Sequence, residues 1–308
     1  MGASSSVDGA PSIGLFAVNQ NVTANREALA RIGSLAEELG YDSLWVGEHV
    51  CVPDPRVPPS PLEPEDPILD GLVSLAFLAA HTERIGLATG IVILPQRNPV
   101  VLAKQLASLD VVSGGRLTFG MGVGYLEPEM TAIGVPMERR GTRALEYLGA
   151  MRALWEHEQP EFEGEFVSFS GVNAHPRPLQ QPLPVVMGGY SPAVHRRAVR
   201  HADGWYGFFL DQDAAAEQIA GLRRCLAEVG REPADFEITV TPRERIDAEA
   251  VAAYGRMGVN RLVLIPPDAF RRSAGAPVES SPANIEAFVR EHAPARIAAT
   301  PLTAARDN

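Results

Sequence analysis

Short apolar runs and longer segments of helical period alternate eight times along this chain, and that alternation narrows the fold more than any other feature of the sequence. Strands are expected at residues 13–18, 43–46, 85–89, 116–121, 184–187, 204–208, 236–240 and 261–265. Helical segments follow them at 25–39, 67–81, 99–112, 139–155, 191–201, 213–229, 247–257 and around 283–292. Gly40 and Gly230 stand just past the first and sixth of these, where a residue free to turn left-handed ends a helix. A helix between two strands returns the chain to the same end of the sheet, so successive strands run parallel. Eight such units favour closure over an open sheet, and the expected fold is α/β, a (β/α)8 TIM barrel. Two stretches break the alternation: the Pro-rich segment 50–67 after the second strand, and 156–183 before the fifth. Both exceed ordinary connections and are expected as insertions at the C-terminal face of the strands, where lids and binding loops sit. The organisation that follows is a flexible lead-in over residues 1–12, a barrel domain over 13–270, and a C-terminal helix with a disordered tail over 271–308.

Composition excludes several classes of function. Acidic side chains number 38 against 27 basic ones, a net charge of −11, so the overall field repels the phosphates of nucleic acid. The longest mostly apolar stretches, 71–80 and 85–94, fall short of the roughly 18 residues that a membrane-spanning helix needs. Neither nucleic acid nor a membrane is an expected partner. Cys51 and Cys225 lie far apart with no metal-ligand spacing, and no charged-then-apolar leader opens the chain, so the expected compartment is the cytoplasm. Residues 1–6 match the loose pattern for myristoylation but read as a Ser/Ala/Gly-rich lead-in.

In a barrel of this kind chemistry collects just beyond the strands, which singles out four clusters. Glu48 and His49 follow the second strand and put a carboxylate and an imidazole side by side; the imidazole can move protons near neutral pH, and a nearby carboxylate can tune it. Thr89 and Gly90 end the third strand, a hydroxyl beside a residue that permits a bulge or a close approach. Gly120, Gly122 and Gly124, followed by Tyr125, recur at alternate positions of the fourth and leave space beside the backbone. This is not a dinucleotide fingerprint, because the G-x-G-x-x-G spacing fails after Gly124. After the fifth strand Gly188, Gly189, Tyr190 and Ser191 lead into a helix at Pro192, with Ser191 as N-cap. Backbone N–H groups and the positive helix end make that turn a phosphate site, with an ordinary strand-to-helix turn as the alternative. Arg196, Arg197 and Arg200 add positive charge on the same helix.

Residues 13–266 resemble the bacterial luciferase-like monooxygenase superfamily. The resemblance is carried by the run Tyr41-Asp42-Ser43-Leu44-Trp45-Val46-Gly47-Glu48-His49, by Thr89-Gly90, Asn98-Pro99-Val100, Ser113-Gly114-Gly115-Arg116 and Gly122-Val123-Gly124-Tyr125. Glu129, Gly134, Arg140, the turn Gly188-Gly189-Tyr190-Ser191 and Ala202-Asp203-Gly204-Trp205 complete it. It implies a barrel that binds the deazaflavin coenzyme F420 or, alternatively, FMN at the strand ends. The cofactor would lie against Thr89, Gly90, Gly122, Gly124, Tyr125, Gly188, Gly189, Tyr190 and Ser191. It also implies a non-proline cis peptide around residues 89–91, proton transfer by His49, and Glu48 in the neighbouring acidic position. The spacing is more similar to the deazaflavin branch, hence hydride transfer to or from a small organic substrate, with Arg196, Arg197 and Arg200 as candidates for the coenzyme's acidic tail. The FMN reading implies a monooxygenase with a partner flavin reductase, and either implies a homodimer through apolar faces such as 69–80. Some deazaflavin dehydrogenases carry a glutamate where this chain has Tyr125; Glu127 and Glu129 lie close by, and the sequence assigns neither of them that role. Two readings come from other classes. A metal-dependent hydrolase would use Glu48 and His49, but the other histidines fall mostly on helices or insertions and no metal is expected. A non-enzymatic flavin-binding protein would keep the glycine turn without the proton relay.

Overall fold

Strands covered by helices outside and by one another's side chains inside are buried on both faces, and this shows in β2 (Ser43–Val46), where all four residues are buried. A computed structural model describes residues 10–266 and 281–299. In chain order its strands are β1 (Ser12–Phe16), β2, β3 (Gly86–Thr89), β4 (Val92–Ile93), β5 (Leu117–Gly122), β6 (Phe162–Glu163), β7 (Ser168–Phe169), β8 (Val185–Gly188), β9 (Gly204–Leu210), β10 (Glu237–Pro242) and β11 (Arg261–Leu264). The helices are α1 (Arg26–Glu38), α2 (Gly71–Ala79), α3 (Pro99–Val112), α4 (Glu127–Ala132), α5 (Arg140–Glu156), α6 (Pro192–His201), α7 (Gln212–Val229), α8 (Ala248–Arg256), α9 (Pro282–Glu291) and α10 (Pro294–Ala299). Around the ring the order is β3-β2-β1-β11-β10-β9-β8-β5, every pairing is parallel, and β3 against β5 closes it. The fold is the expected (β/α)8 barrel.

The third barrel strand is made of two pieces. β3 pairs with the lower half of β5 through Leu87 and Ala88, and β4 pairs with its upper half through Val92 and Ile93. The Gly90–Ile91 peptide between them is cis, as the resemblance implied. Thr89 fastens this bulge: its hydroxyl accepts the Gly120 N–H at 2.8 Å and donates to the Gly120 carbonyl at 2.7 Å. The room for that contact exists because residue 120 is glycine, whose Cβ would stand 1.9 Å from the Thr89 carbonyl oxygen.

Two apolar layers hold the barrel. The larger lies between strands and helices, and a smaller cluster fills the interior with Phe16, Trp45 and Tyr206 among small residues such as Ala17 and Ala88. At the base, the half-buried Arg261 of β11 joins Asp42, the residue before β2, to Glu237 on the neighbouring β10, an ion triad that ties the feet of non-adjacent strands together. Helix starts follow local chemistry: Asn25, Asp70, Asn98, Ser191, Asp211, Asp247 and Ser281 each accept a first-turn N–H through the side chain.

Several expectations are corrected. The first strand stops at Phe16 rather than residue 18, because Ala17 turns into the left-handed region at φ 62°. Segment 50–67 does reach the barrel mouth, with Leu62 buried there. Segment 156–183 lines none of the cavity: it leaves after α5, at the opposite end, and its hairpin β6–β7 runs back along that helix to its first turn. Phe162 meets Gly149, and Phe166 sits under the guanidinium groups of Arg139 and Arg143. The C-terminal stretch continues in helix through α10, and α9 packs on α1, with the Tyr41 hydroxyl donating to the Val289 carbonyl at 2.9 Å. The expected flexible lead-in and disordered tail concern mainly residues 1–9 and 300–308, which lie outside the described residues, as do residues 267–280.

Candidate active site

A cavity of about 500 Å³ opens at the C-terminal end of the strands. His49 reaches it from the end of β2, Tyr125 from the connection after β5, and the turn Gly188–Gly189–Tyr190–Ser191 from the end of β8. Apolar walls come from Phe16, Ile91, Tyr206 and Phe208, from Leu62 on the insertion and from Ile68 just after it.

His49 is held on both ring nitrogens. Nδ1 lies 2.9 Å from Oε2 of Glu129, whose other oxygen accepts the Val50 N–H at 2.7 Å. A carboxylate only accepts, so Nδ1 carries the proton and Nε2 is turned toward the Tyr125 hydroxyl, 3.3 Å away. Burial, with the Glu129 charge adding to it, pushes the Tyr125 phenol up to about 12. The phenol therefore stays protonated at neutral pH and donates. Glu129 was not legible as the partner: it sits on α4, six residues long and too short to register as a period, although Pro128 in its first turn marks a helix start.

Glu48 also lines the cavity, but its carboxylate faces away from His49. One oxygen accepts the Ile93 N–H at 2.6 Å and the other pairs with Arg97, which also reaches Asp70 at 2.8 Å. Burial pushes the Glu48 carboxyl above its ordinary range, against the pull of Arg97 and the Ile93 N–H. The expectation that Glu48 tunes the imidazole is thus corrected: Glu129 holds His49, while Glu48 and Arg97 fix β4 and the start of α2. Asn19 works in parallel, donating to the carbonyls of Gly47 at 3.0 Å and Leu69 at 2.8 Å, so both stems of the mouth insertion are tied together.

The remaining sequence candidates divide. Gly90, Gly122, Gly124, Gly188, Gly189, Tyr190 and Ser191 all line the cavity. Thr89 does not, since its hydroxyl is spent on Gly120. The space expected beside the fourth-strand glycines is filled by the bulge itself: a Cβ on Gly122 would lie 2.6 Å from Ile91 Cδ1, and one on Gly124, at φ 78°, would lie 2.7 Å from Ile93 Cγ2. At the α6 turn, Ser191 caps Val194 at 3.3 Å and Gly189 takes φ 130°, closed to most side chains. Arg200 cannot serve the rim, because it sits in the last turn of α6, about 13 Å along the axis from Ser191.

The match to known proteins follows the whole barrel. The family model described as luciferase-like monooxygenase covers residues 12–297. An uncharacterized protein of Mycobacterium tuberculosis is 34% identical over 286 residues, 89% of this chain and 98% of its own length. The F420-dependent glucose-6-phosphate dehydrogenase of Kineococcus radiotolerans is 33% identical over 73% of this chain and 66% of its own. The oxygenase component of the flavin-dependent trigonelline monooxygenase of Acinetobacter baylyi is 30% identical over 57% of this chain and 46% of its own. Among solved structures, an F420-dependent secondary alcohol dehydrogenase superposes with a TM-score of 0.70 at 17% identity, over 83% of this chain and 93% of that one. In motif, barrel topology and extent of match, the chain belongs to the luciferase-like monooxygenase family.

Proposed function

We propose that this member of a family of oxidoreductases and monooxygenases is an F420-dependent oxidoreductase acting on a small organic substrate. The observation that carries the reading is the imidazole of His49, fixed by Glu129 and facing the same cavity as the glycine turn of α6. That turn fits a phosphate-bearing group. Gly188 and Gly189 leave the backbone bare, and α6 presents the positive end of a ten-residue helix. The apolar walls at Phe16, Ile91 and Tyr206 suit a flat ring system. When bound, the deazaflavin would supply hydride exchange with a substrate carbon. Nε2 of His49 then gives or takes the accompanying proton, with the Tyr125 phenol hydrogen-bonded beside it. The Kineococcus relative supports the deazaflavin, over most of the chain.

The Acinetobacter relative favours a second reading over a shorter stretch: FMN, supplied reduced by a partner reductase, and monooxygenation. Parallel titrations with F420 and FMN, read by fluorescence quenching, separate the two. Tighter binding of F420 is expected, and saturable binding of FMN alone would replace the first reading with the second. A homodimer belongs to the same proposal: Val73 on α2 and Val101 on α3 are well exposed, and sedimentation velocity reads the mass directly.

A further inference from the structure

Phe209 breaks the alternation of its strand. It adopts φ 59°, a conformation that bulky residues rarely take, at the upper end of β9. In a regular strand adjacent side chains point to opposite faces. Here the rings of Phe208 and Phe209 lie with centroids 6.1 Å apart and planes tilted by 32°, so both stand on one side of the chain. Phe208 lines the cavity, and Phe209 beside it is 52% exposed. The rings continue inward, from Phe208 to Phe16 at 5.2 Å and to Tyr206 at 6.3 Å. The Tyr190 hydroxyl donates to the Phe208 carbonyl and holds the rim in place. The result is an aromatic shelf that runs from the barrel interior to the mouth.

Few polar side chains face that shelf: Gln20 lines the cavity, Ser191 does so while capping α6, and the others are two pairs of rings and a carboxylate. Tyr206 is bonded to Thr241 at 2.6 Å, Tyr190 to Phe208, and Glu48 to Arg97. His49 Nε2 and the Tyr125 hydroxyl together form a polar spot. Among the described residues no lysine or arginine lines the cavity.

We infer that the substrate is a neutral, apolar ring compound bearing one hydroxyl or carbonyl oxygen, and that Phe209 is a specificity-determining residue that meets its ring. This rests on the function proposed above. The ring lies on the Phe208–Phe209 shelf and the oxygen meets His49 and Tyr125. Alcohol and carbonyl forms differ by one hydride and one proton: the hydride is exchanged with the bound coenzyme, and the proton on oxygen with Nε2 of His49. A sugar phosphate finds no cationic partner among the described lining residues.

The test uses the full chain saturated with F420, with cyclohexanol, 2-propanol and glucose 6-phosphate as substrates, for the wild type, Phe209→Ala and Phe209→Asn. Asparagine tolerates a positive φ, so the second variant removes the ring without burdening the backbone. The wild type is expected to prefer cyclohexanol. Both variants should raise the KM for cyclohexanol about three- to tenfold, the span of one lost aromatic contact, and leave 2-propanol kinetics and F420 affinity unchanged. Preference for glucose 6-phosphate, or an unchanged cyclohexanol KM in both variants, overturns the inference while the cofactor reading stands. Ligand-observed NMR with cyclohexanone and glucose 6-phosphate, on protein without cofactor, judges the substrate class even if neither F420 nor FMN binds. Saturable cyclohexanone binding weakened in both variants supports the inference, and equal binding to all three proteins sinks it.

Discussion

Oε2 of Glu129 lies 2.9 Å from Nδ1 of His49, while Oε1 takes the N–H of Val50, the next residue in the chain. One carboxylate thus fixes both the ring and the backbone that carries it, and leaves Nε2 to the cavity. His49→Ala is expected to lower turnover at saturating cofactor by roughly 10²–10⁴-fold, the range of general acid–base catalysis, with little change in cofactor affinity. Glu129→Gln should lower it by less, since an amide still offers one acceptor oxygen. If His49→Ala instead weakens cofactor binding and turns over normally at saturation, the imidazole positions the cofactor and Tyr125 carries the proton.

Glu48 is expected to behave differently from His49. Its side chain is 4% exposed and balanced by Arg97, so Glu48→Gln leaves a half-buried guanidinium with Asp70 as its remaining carboxylate. Breaking a buried pair from one side costs about 3 kcal/mol, seen as a thermal midpoint lower by several degrees. The pH profile of turnover should keep its shape. A displaced profile at unchanged stability would return Glu48 to the proton relay.

The α6 turn is best probed at Gly188. A Cβ there would meet Ile91 at 3.3 Å, a contact a small shift relieves, whereas Gly189 at φ 130° would set any side chain against Val194 at 3.1 Å. Gly188→Ala should therefore fold normally and weaken both F420 and FMN, measured by titration. Gly189→Val should lower the thermal midpoint as well as the affinity. Unchanged affinity in Gly188→Ala would remove the phosphate assignment.

His195, inside α6, gives the fold a pH dependence. Its ring is buried against Trp205, with Gly221 of α7 so close that a Cβ would stand 2.8 Å from Nδ1. Burial lowers its pKa below 6.5, with the Arg224 charge adding to the effect and the nearby Gln218 side chain opposing it. A depressed folded pKa contributes stability that is present above the unfolded value and lost as pH falls through the folded one. The wild type should lose thermal stability on going from about pH 7 to about pH 5, and His195→Gln should show a shallower slope. Parallel slopes would mean that carboxylates elsewhere set the acid limb.

The eight strand–helix units were legible in the sequence because each rests on local physics. Continuous apolar runs, side-chain caps such as Asn98 and Ser191, and the left-handed stop at Gly230 need only near neighbours. The mouth residues His49, Tyr125 and Gly188 were legible for a related reason, since a parallel barrel gathers its strand ends at one face. What the sequence left undecided was partnership. Glu48 adjoins His49 in the chain, yet neighbours at a strand end point opposite ways, so the imidazole found its carboxylate 80 residues away and Glu48 found Arg97 49 residues away. The fourth-strand glycines read as open space, and tertiary packing filled that space with Ile91 and Ile93. Segment 156–183 read as an insertion at the mouth, and its attachment after a helix rather than a strand laid it along α5, clear of the cavity lining. Periodicity reports which face of an element is buried; which groups meet there depends on distances that closure of the barrel sets.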